Sequence, residues 1–182
     1  MLSDKNIVVC VCGGIAAYKV VDVVSRLKKQ KANVFVVMSE AATQFVTPLT
    51  FQAISNNLVT TSLTDDMGNA DINHIALAQR ADLFVVAPAT ANIIGKVANG
   101  IADDIVSTAI IATRAQVLMV PAMNTAMYEN PIVQNNIEKL KSFGYKFLEP
   151  EVGTMAMRGE KGGAGRLPQP ERIVESILEM KF

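Results

Sequence analysis

Four apolar runs, separated by segments with helical periodicity, limit the folds open to this chain more than any other feature. The runs cover residues 7–12, 34–38, 83–87 and 117–120. Continuous apolar runs of this length are typical of strands that are buried on both faces. Strands that alternate with helices predict an α/β fold, with a doubly wound parallel sheet and helices on both faces.

The length and composition indicate one globular unit. Half of the 182 residues are apolar, which is enough for a sizeable core. We expect residues 1–182 to form a single domain that includes a glycine-rich flap at about residues 152–170. The 17 basic and 17 acidic residues balance, so the net charge gives no sign of a nucleic-acid partner. The N-terminal apolar run is short and follows Asp4 and Lys5, which is not typical of a signal peptide or a membrane span.

The two cysteines, Cys10 and Cys12, lie in the first apolar run. On a strand they face the same side of the sheet. Their spacing is not that of a metal-binding pair, and the chain has one histidine, so no metal site is predicted. The simple inference is a reduced, intracellular protein, and we expect it to be cytoplasmic.

A glycine pair follows the first strand. Gly13 and Gly14 separate the strand from a segment in which apolar residues recur at helical spacing. Glycine allows a ligand to approach the backbone, and a helix N-terminus favours an anion. The turn lacks the three spaced glycines of a dinucleotide site, so it predicts either a phosphate site or a tight turn without a ligand. After the second strand, Ser39 could donate to a phosphate, or Glu40 could bind ribose hydroxyls.

Polar residues also follow the third and fourth strands. Residues 88–92 include Thr90 and Asn92, and Asn124 follows the run at 117–120. Because the carboxyl ends of parallel strands meet at one edge, we expect these residues to lie together with Gly13 and Gly14. Asn124 offers two donors and one acceptor, which suits a carboxylate or an amide, although a turn asparagine would look the same.

His74 carries the only imidazole of the chain. Its ordinary pKa lies near neutrality, so it is a candidate acid or base, with a structural role as the alternative. The flap at about residues 152–170 contains five glycines together with Arg158, Lys161 and Arg166. It could close on a phosphorylated substrate or could be a surface loop.

Several of these motifs together resemble the flavin-containing cysteine decarboxylases, a family that includes the decarboxylase of coenzyme A synthesis. The matching segments are His74-Ile75, residues 88–92, residues 99–104, residues 121–124 and Met127-Tyr128. The resemblance extends from about Lys5 to the C-terminal helix. It implies a Rossmann-like (flavodoxin-like) form of the sheet, FMN as cofactor, and decarboxylation of 4′-phosphopantothenoylcysteine to 4′-phosphopantetheine.

The resemblance also implies a role for each matching residue. Gly13, Gly14, Ile15 and Ser39 would hold the FMN phosphate and its surroundings. The flavin would contact Thr90, Ala91, Asn92 and the backbone of Val120. His74 would be the active-site base or orienting group, Asn124 would bind the substrate carboxylate, and Met127 and Arg166 would also contact the substrate.

The chain departs from the family pattern in the flap. Members of the family usually carry a cysteine there, which acts as an acid when the enethiol product is reduced, whereas this flap has Met157 and no cysteine. Two alternatives therefore stay open: a peptidyl-cysteine decarboxylase that stops at the enethiol, and a non-catalytic FMN-binding regulatory subunit. The resemblance further implies a homotrimer or a dodecamer of trimers, and a fused or separate phosphopantothenoylcysteine synthetase.

Overall fold

The computed structural model describes residues 1–64, 73–153 and 163–182, apart from the side chains of residues 73 and 74. The strands are β1 (Asn6–Val11), β2 (Asn33–Met38), β3 (Val59–Thr60), β4 (Leu83–Ala89), β5 (Gln116–Pro121), β6 (Lys146–Phe147), β7 (Glu151–Gly153) and β8 (Gly163–Arg166). The helices are α1 (Ala17–Lys29), α2 (Glu40–Thr43), α3 (Pro48–Ser55), α4 (Asn73–Arg80), α5 (Ala91–Ala98), α6 (Ile105–Ala112), α7 (Thr125–Tyr128), α8 (Pro131–Ser142) and α9 (Pro170–Glu179).

The first six strands form one parallel sheet in the order β3-β2-β1-β4-β5-β6. The chain moves outward from β1 in one direction and then returns to β4 to continue in the other direction. The order therefore reverses between β1 and β4, which is where doubly wound folds bind their ligands. The predicted fold class is confirmed.

Side chains of each strand alternate between two cores, one on each face of the sheet. In β1, Ile7 and Val9 belong to one core and Val8 and Cys10 to the other, and all four are fully buried. Helices α1, α3 and α9 cover the first face, and α4, α5, α6 and α8 cover the second. Each buried aliphatic side chain contributes about 1.5–3 kcal/mol, so the unbroken apolar runs are explained by burial on both faces.

The two cysteines follow the same alternation. Cys10 and Cys12 are buried free thiols in the core of the second face. The prediction that they face the same side is therefore confirmed. Their burial within one packed core explains why an apolar run can contain them.

The structure corrects two predicted boundaries. The third strand was expected to end at Ala87, but β4 continues through Pro88 to Ala89, which pairs with Pro121 of β5. The flap was expected to be a loop, but its ends form an antiparallel pair, β7 and β8. Its centre, with Met157, Arg158 and Lys161, lies outside the described residues. Among the helices described, none has the length and apolar character needed to cross a membrane.

Candidate active site

A cavity of about 920 Å³ opens at the carboxyl edge of the sheet. It lies at the ends of β1, β4 and β5, where the strand order reverses. Ten of the residues predicted from the sequence line it: Gly13, Gly14, Ile15, Ser39, Thr90, Ala91, Asn92, Asn124, Met127 and Arg166. The expectation that Gly13, Gly14, Thr90, Asn92 and Asn124 share one edge is therefore confirmed.

The turn between β1 and α1 packs closely against the start of α2. A Cβ atom built on Gly13 would lie 2.5 Å from the Cβ of Ala41 and 3.0 Å from its carbonyl carbon. Only glycine fits at this position without displacing α2. The adjacent helix, α1, begins at Ala17, and its N-cap residue Ala16 makes no side-chain cap hydrogen bond. The N–H groups of Ala17 and Lys19 donate to the carbonyls of Gly14 and Ala16. Such a helix start suits an anion.

Two hydroxyl side chains cap helices at the cavity wall. Ser39 accepts a hydrogen bond from the N–H of Ala42 at 3.2 Å, at the start of α2. Thr90 accepts from the N–H of Ile93 at 3.4 Å, at the start of α5. In each case the cap uses the oxygen as acceptor, and a hydroxyl has one further proton to donate. The caps therefore orient both hydroxyls beside the cavity.

The side chain of Asn124 is oriented by the helix that it caps. Its Oδ1 accepts hydrogen bonds from the N–H groups of Ala126 at 2.8 Å and Met127 at 3.3 Å, at the start of α7. The preceding residue, Met123, donates its N–H to the carbonyl of Gly165 in β8 at 2.9 Å. Since the acceptor atom serves the cap, the NH₂ group is the part of the amide that can donate to a ligand carboxylate.

A cluster of three charges adjoins the cavity, which Lys96 and Asp104 line. Lys96 of α5 forms ion pairs with Asp103 at 2.7 Å and with Asp104 at 2.6 Å. Asp104 also caps α6, accepting the N–H of Ser107 at 2.8 Å, and the hydroxyl of Ser107 accepts the N–H of Asp104. Burial raises the pKa of Asp104, but the hydrogen bonds from Lys96 and Ser107 outweigh that effect and leave the pKa lowered. The cluster joins the last turn of α5 to the start of α6 and carries one more negative than positive charge.

Cys12 also lines the cavity, although its side chain is almost fully buried. Burial, with a smaller contribution from the charge of Asp104, raises the pKa of the Cys12 thiol to about 12. A thiol with this pKa keeps its proton at neutral pH and is a weak nucleophile. We therefore assign Cys12 no role as a thiolate.

Sequence comparison identifies the family. Residues 1–181 match the family described as Flavoprotein. The chain belongs to the flavoprotein family. The coenzyme A biosynthesis bifunctional protein CoaBC of Bacillus subtilis is 49% identical over 182 residues, which is 100% of this chain and 44% of that protein. The chain thus spans less than half the length of that relative.

A second relative matches this flavoprotein over nearly its whole length. It is a probable phosphopantothenoylcysteine decarboxylase of Streptococcus mutans, 45% identical over 177 residues that cover 96% of this chain and 98% of the relative. Among solved structures, the FMN-dependent cysteine decarboxylase SpaF has a TM-score of 0.83, with 29% identity and 98% of each chain covered. A cysteine-to-serine mutant of a PPC decarboxylase complexed with pantothenoylaminoethenethiol has a TM-score of 0.81, with 25% identity and 96% of each chain covered. The predicted family resemblance is confirmed.

Two of the predicted site residues are not placed in the cavity of this flavoprotein. Val120 is fully buried in β5 and is not among the lining residues, so its contact with a flavin through the backbone stays a prediction. The backbone of His74 lies in α4, but its side chain lies outside the described part of the chain. The catalytic role of His74 also stays a prediction.

The sequence did not indicate two of the charged residues in the cavity of this flavoprotein, Lys19 and Lys96. Lys19 lies in the first turn of α1, the helix whose start was predicted to face a ligand, so its position was a usable signal. Lys96 lies eight residues before its partner Asp104 and in a different helix, so no local pattern connects the two.

Proposed function

We propose that this chain is an FMN-dependent carboxy-lyase that converts 4′-phosphopantothenoylcysteine to 4′-phosphopantetheine in coenzyme A biosynthesis. The observation that carries the proposal is that one cavity, at the reversal of strand order, gathers Gly13, Ser39, Thr90 and Asn124. The relatives of Bacillus subtilis and Streptococcus mutans support the choice of reaction, because their names refer to coenzyme A biosynthesis and to this decarboxylase.

The residues of the cavity fit FMN. A volume of about 920 Å³ lies at the upper end of the range for cofactor and ligand sites. The uncapped start of α1 and the hydroxyl of Ser39 supply donors for a phosphate. Beside them, Ala91, Ile93 and Met123 supply an apolar wall for a flat ring system. We therefore assign the phosphate to the ends of β1 and β2, and the ring to the end of β4.

The proposal assigns Asn124, His74 and Met127 to the substrate. When bound, FMN supplies the oxidising power that makes loss of carbon dioxide from the cysteinyl group easy. The NH₂ group of Asn124 binds the substrate carboxylate and fixes the direction in which it leaves. His74 holds or accepts the proton that is lost in the oxidation, and Met127 covers the substrate from α7.

The flap sequence favours a second candidate, a peptidyl-cysteine decarboxylase that stops at the enethiol. Residues 154–162 contain no cysteine to donate a proton when the enethiol is reduced. Cys12 is a weak acid in its buried position, with a pKa of about 12, and does not replace a flap cysteine on chemical grounds. The first candidate therefore requires another acid, whereas the second requires none.

The partners and the location are also proposed. We propose a homotrimer, or a dodecamer of trimers, with the cavity at a subunit boundary. Ile15, Tyr18 and Met127 support this arrangement, because they line the cavity yet are 58%, 58% and 47% exposed in the single chain. We also propose a cytoplasmic location and a fused or separate phosphopantothenoylcysteine synthetase, by analogy with the bifunctional relatives. Sedimentation of the purified protein tests the trimer.

Mass spectrometry of the product tests the proposed reaction. The FMN-loaded protein is incubated with 4′-phosphopantothenoylcysteine, and the mass change is measured. Loss of carbon dioxide alone is the expected result, because reduction of the enethiol restores the two hydrogens. Loss of carbon dioxide and two hydrogens would support the enethiol-forming candidate. Bound FMN without any reaction would refute the first candidate and would favour the regulatory subunit.

A further inference from the structure

Two cations face the cavity from different parts of the chain. Lys19 lies in the first turn of α1, and Arg166 is the last residue of β8. Both line the cavity, and both are half-buried. Burial lowers the pKa of Lys19, and the positive charge of Arg166 lowers it further, while Glu151 acts in the opposite direction. The two cations are therefore close enough to repel each other.

Neither cation forms an ion pair with a carboxylate in the part of the chain that the structure describes. Within residues 1–64, 73–153 and 163–182, no carboxylate lies within ion-pair distance of Lys19 or Arg166. Glu151, the acid that acts on Lys19, is 3.8 Å from Arg172 and accepts the backbone N–H of Gln169 at 3.2 Å. Two cations that share a cavity wall and form no ion pair among the described residues create a site that an anion would stabilise.

The backbone of the β7–β8 pair makes room for the guanidinium. A Cβ atom built on Gly153 would lie 3.2 Å from Nη1 of Arg166 and 3.3 Å from its Cδ. The arginine side chain therefore crosses directly over Gly153, and a larger residue there would push it away. This contact limits the directions that the side chain of Arg166 can take at the cavity wall.

The other charged residues that line the cavity add no net positive charge, so the wall formed by Lys19 and Arg166 is its positive side. Lys96 is balanced by Asp103 and Asp104. Glu40 also lines the cavity, but it lies at the start of α2, next to Ser39. The positive potential is therefore concentrated at the α1 and β8 wall.

We propose that Lys19 and Arg166 together bind the terminal phosphate of the substrate and thereby select a phosphorylated small molecule over a cysteine-ending peptide. The inference rests on the proposed function, and it adds Lys19 as a residue that determines specificity. A phosphate monoester carries a charge of about −1.5 to −2 at pH 7, which two cations match.

The position of Arg166 assigns this site to the substrate and not to the cofactor. The residue before it, Gly165, accepts a hydrogen bond from Met123, which immediately precedes the proposed carboxylate ligand Asn124. The donors assigned to the FMN phosphate lie instead at the start of α1 and at Ser39, and Arg166 belongs to neither of these elements. A substrate that spans from Asn124 to the wall with Lys19 would have its carboxylate and phosphate held at separate places.

Binding of a product and of its dephosphorylated form to the FMN-loaded protein tests the proposal. Titration calorimetry with 4′-phosphopantetheine and with pantetheine gives the preference for the phosphate directly, without turnover. Because a hydrogen-bonded charge typically contributes a factor of about 10 to 100, we expect the unmodified protein to prefer the phosphorylated ligand by at least that factor. Lys19→Met should reduce the preference at least about tenfold, and Lys19→Arg should retain most of it.

A matched control is available on the same helix. Lys29 is exposed in the last turn of α1, so Lys29→Met removes the same charge from the same helix away from the cavity and should leave the preference unchanged. Equal binding of the two ligands by the unmodified protein, or an unchanged preference in Lys19→Met, would overturn the inference. So would loss of FMN on desalting of Lys19→Met, because the lysine would then serve the cofactor phosphate.

The outcomes separate the inference from the proposed function. If decarboxylation of 4′-phosphopantothenoylcysteine is absent while the phosphate preference depends on Lys19, the phosphate site stands and the proposed reaction fails. If decarboxylation occurs equally well with the phosphorylated and the dephosphorylated substrate, the reaction stands and the phosphate site fails.

Discussion

Replacing Gly13 with alanine tests the packing on which the cofactor site depends. Carbon atoms in contact are normally about 3.5–4.0 Å apart. The new Cβ would lie 2.5 Å from the Cβ of Ala41 and 3.0 Å from its carbonyl carbon. The overlap is therefore about 1.0–1.5 Å with the Cβ atom and about 0.5–1.0 Å with the carbonyl carbon, which belongs to the backbone. Relief requires α2 to move away from the β1–α1 turn, and the start of α2 is capped by Ser39, a predicted phosphate ligand.

The expected cost is that of overpacking a dense core. Such substitutions cost about 1–3 kcal/mol of unfolding free energy. For a domain of 150–250 residues, 1 kcal/mol corresponds to about 2–4 °C in melting temperature, so we expect Gly13→Ala to lower it by about 2–12 °C. The displaced Ser39 should also weaken FMN binding. Thermal unfolding of the cofactor-free protein measures the first effect, and flavin absorbance after desalting measures the second.

The neighbouring glycine provides the matched control. A Cβ atom on Gly14 would lie 3.9 Å from Cγ2 of Thr90, which is an ordinary contact. Neither glycine has a positive φ, so alanine can adopt the backbone conformation at both positions. The free energy of unfolding of Gly14→Ala should therefore lie within about 1 kcal/mol of that of the unmodified protein. If the two variants have the same melting temperature, the argument that Gly13 is required by its contact with Ala41 is wrong.

Three further substitutions test the charged and polar groups. Asn124→Asp should keep the helix cap and the melting temperature, since aspartate caps as well as asparagine, yet raise KM more than about tenfold by repelling the substrate carboxylate; unchanged KM would remove Asn124 from substrate binding. His74→Asn should retain FMN but lose decarboxylation, and full activity in that variant would exclude His74 from the mechanism. Asp104→Asn removes a carboxylate whose pKa is lowered in the folded protein. Such a carboxylate stabilises the protein at neutral pH. Its contribution is lost as the pH falls below 3.8, the ordinary pKa of an aspartate. Urea unfolding should therefore show a stability gap between Asp104→Asn and the unmodified protein that is present at pH 7 and closes as the pH falls through the acid range; a gap that does not change with pH would contradict the assigned ion pair with Lys96.

Much of the fold and of the site could be predicted because it depends on local patterns. The apolar run of β1 and the glycines after it predicted a strand followed by a turn, and the structure has both. Asn124 could be placed at the cavity from its position after β5 alone. The end of β4 was predicted too early, because proline usually ends a strand, whereas here the pairing of Ala89 with Pro121 continues the strand.

The sequence by itself determined which residues lie at the carboxyl edge of the sheet, since the direction of parallel strands and the order of strand, turn and helix leave only that arrangement. Only the tertiary structure decided which charges meet there. Lys19 of α1 and Arg166 of β8 line the same cavity, and Lys96 pairs with Asp104 because the last turn of α5 lies beside the start of α6. The physical reason is that hydrophobic periodicity fixes which face of an element is buried, whereas contacts between distant residues depend on how whole elements pack.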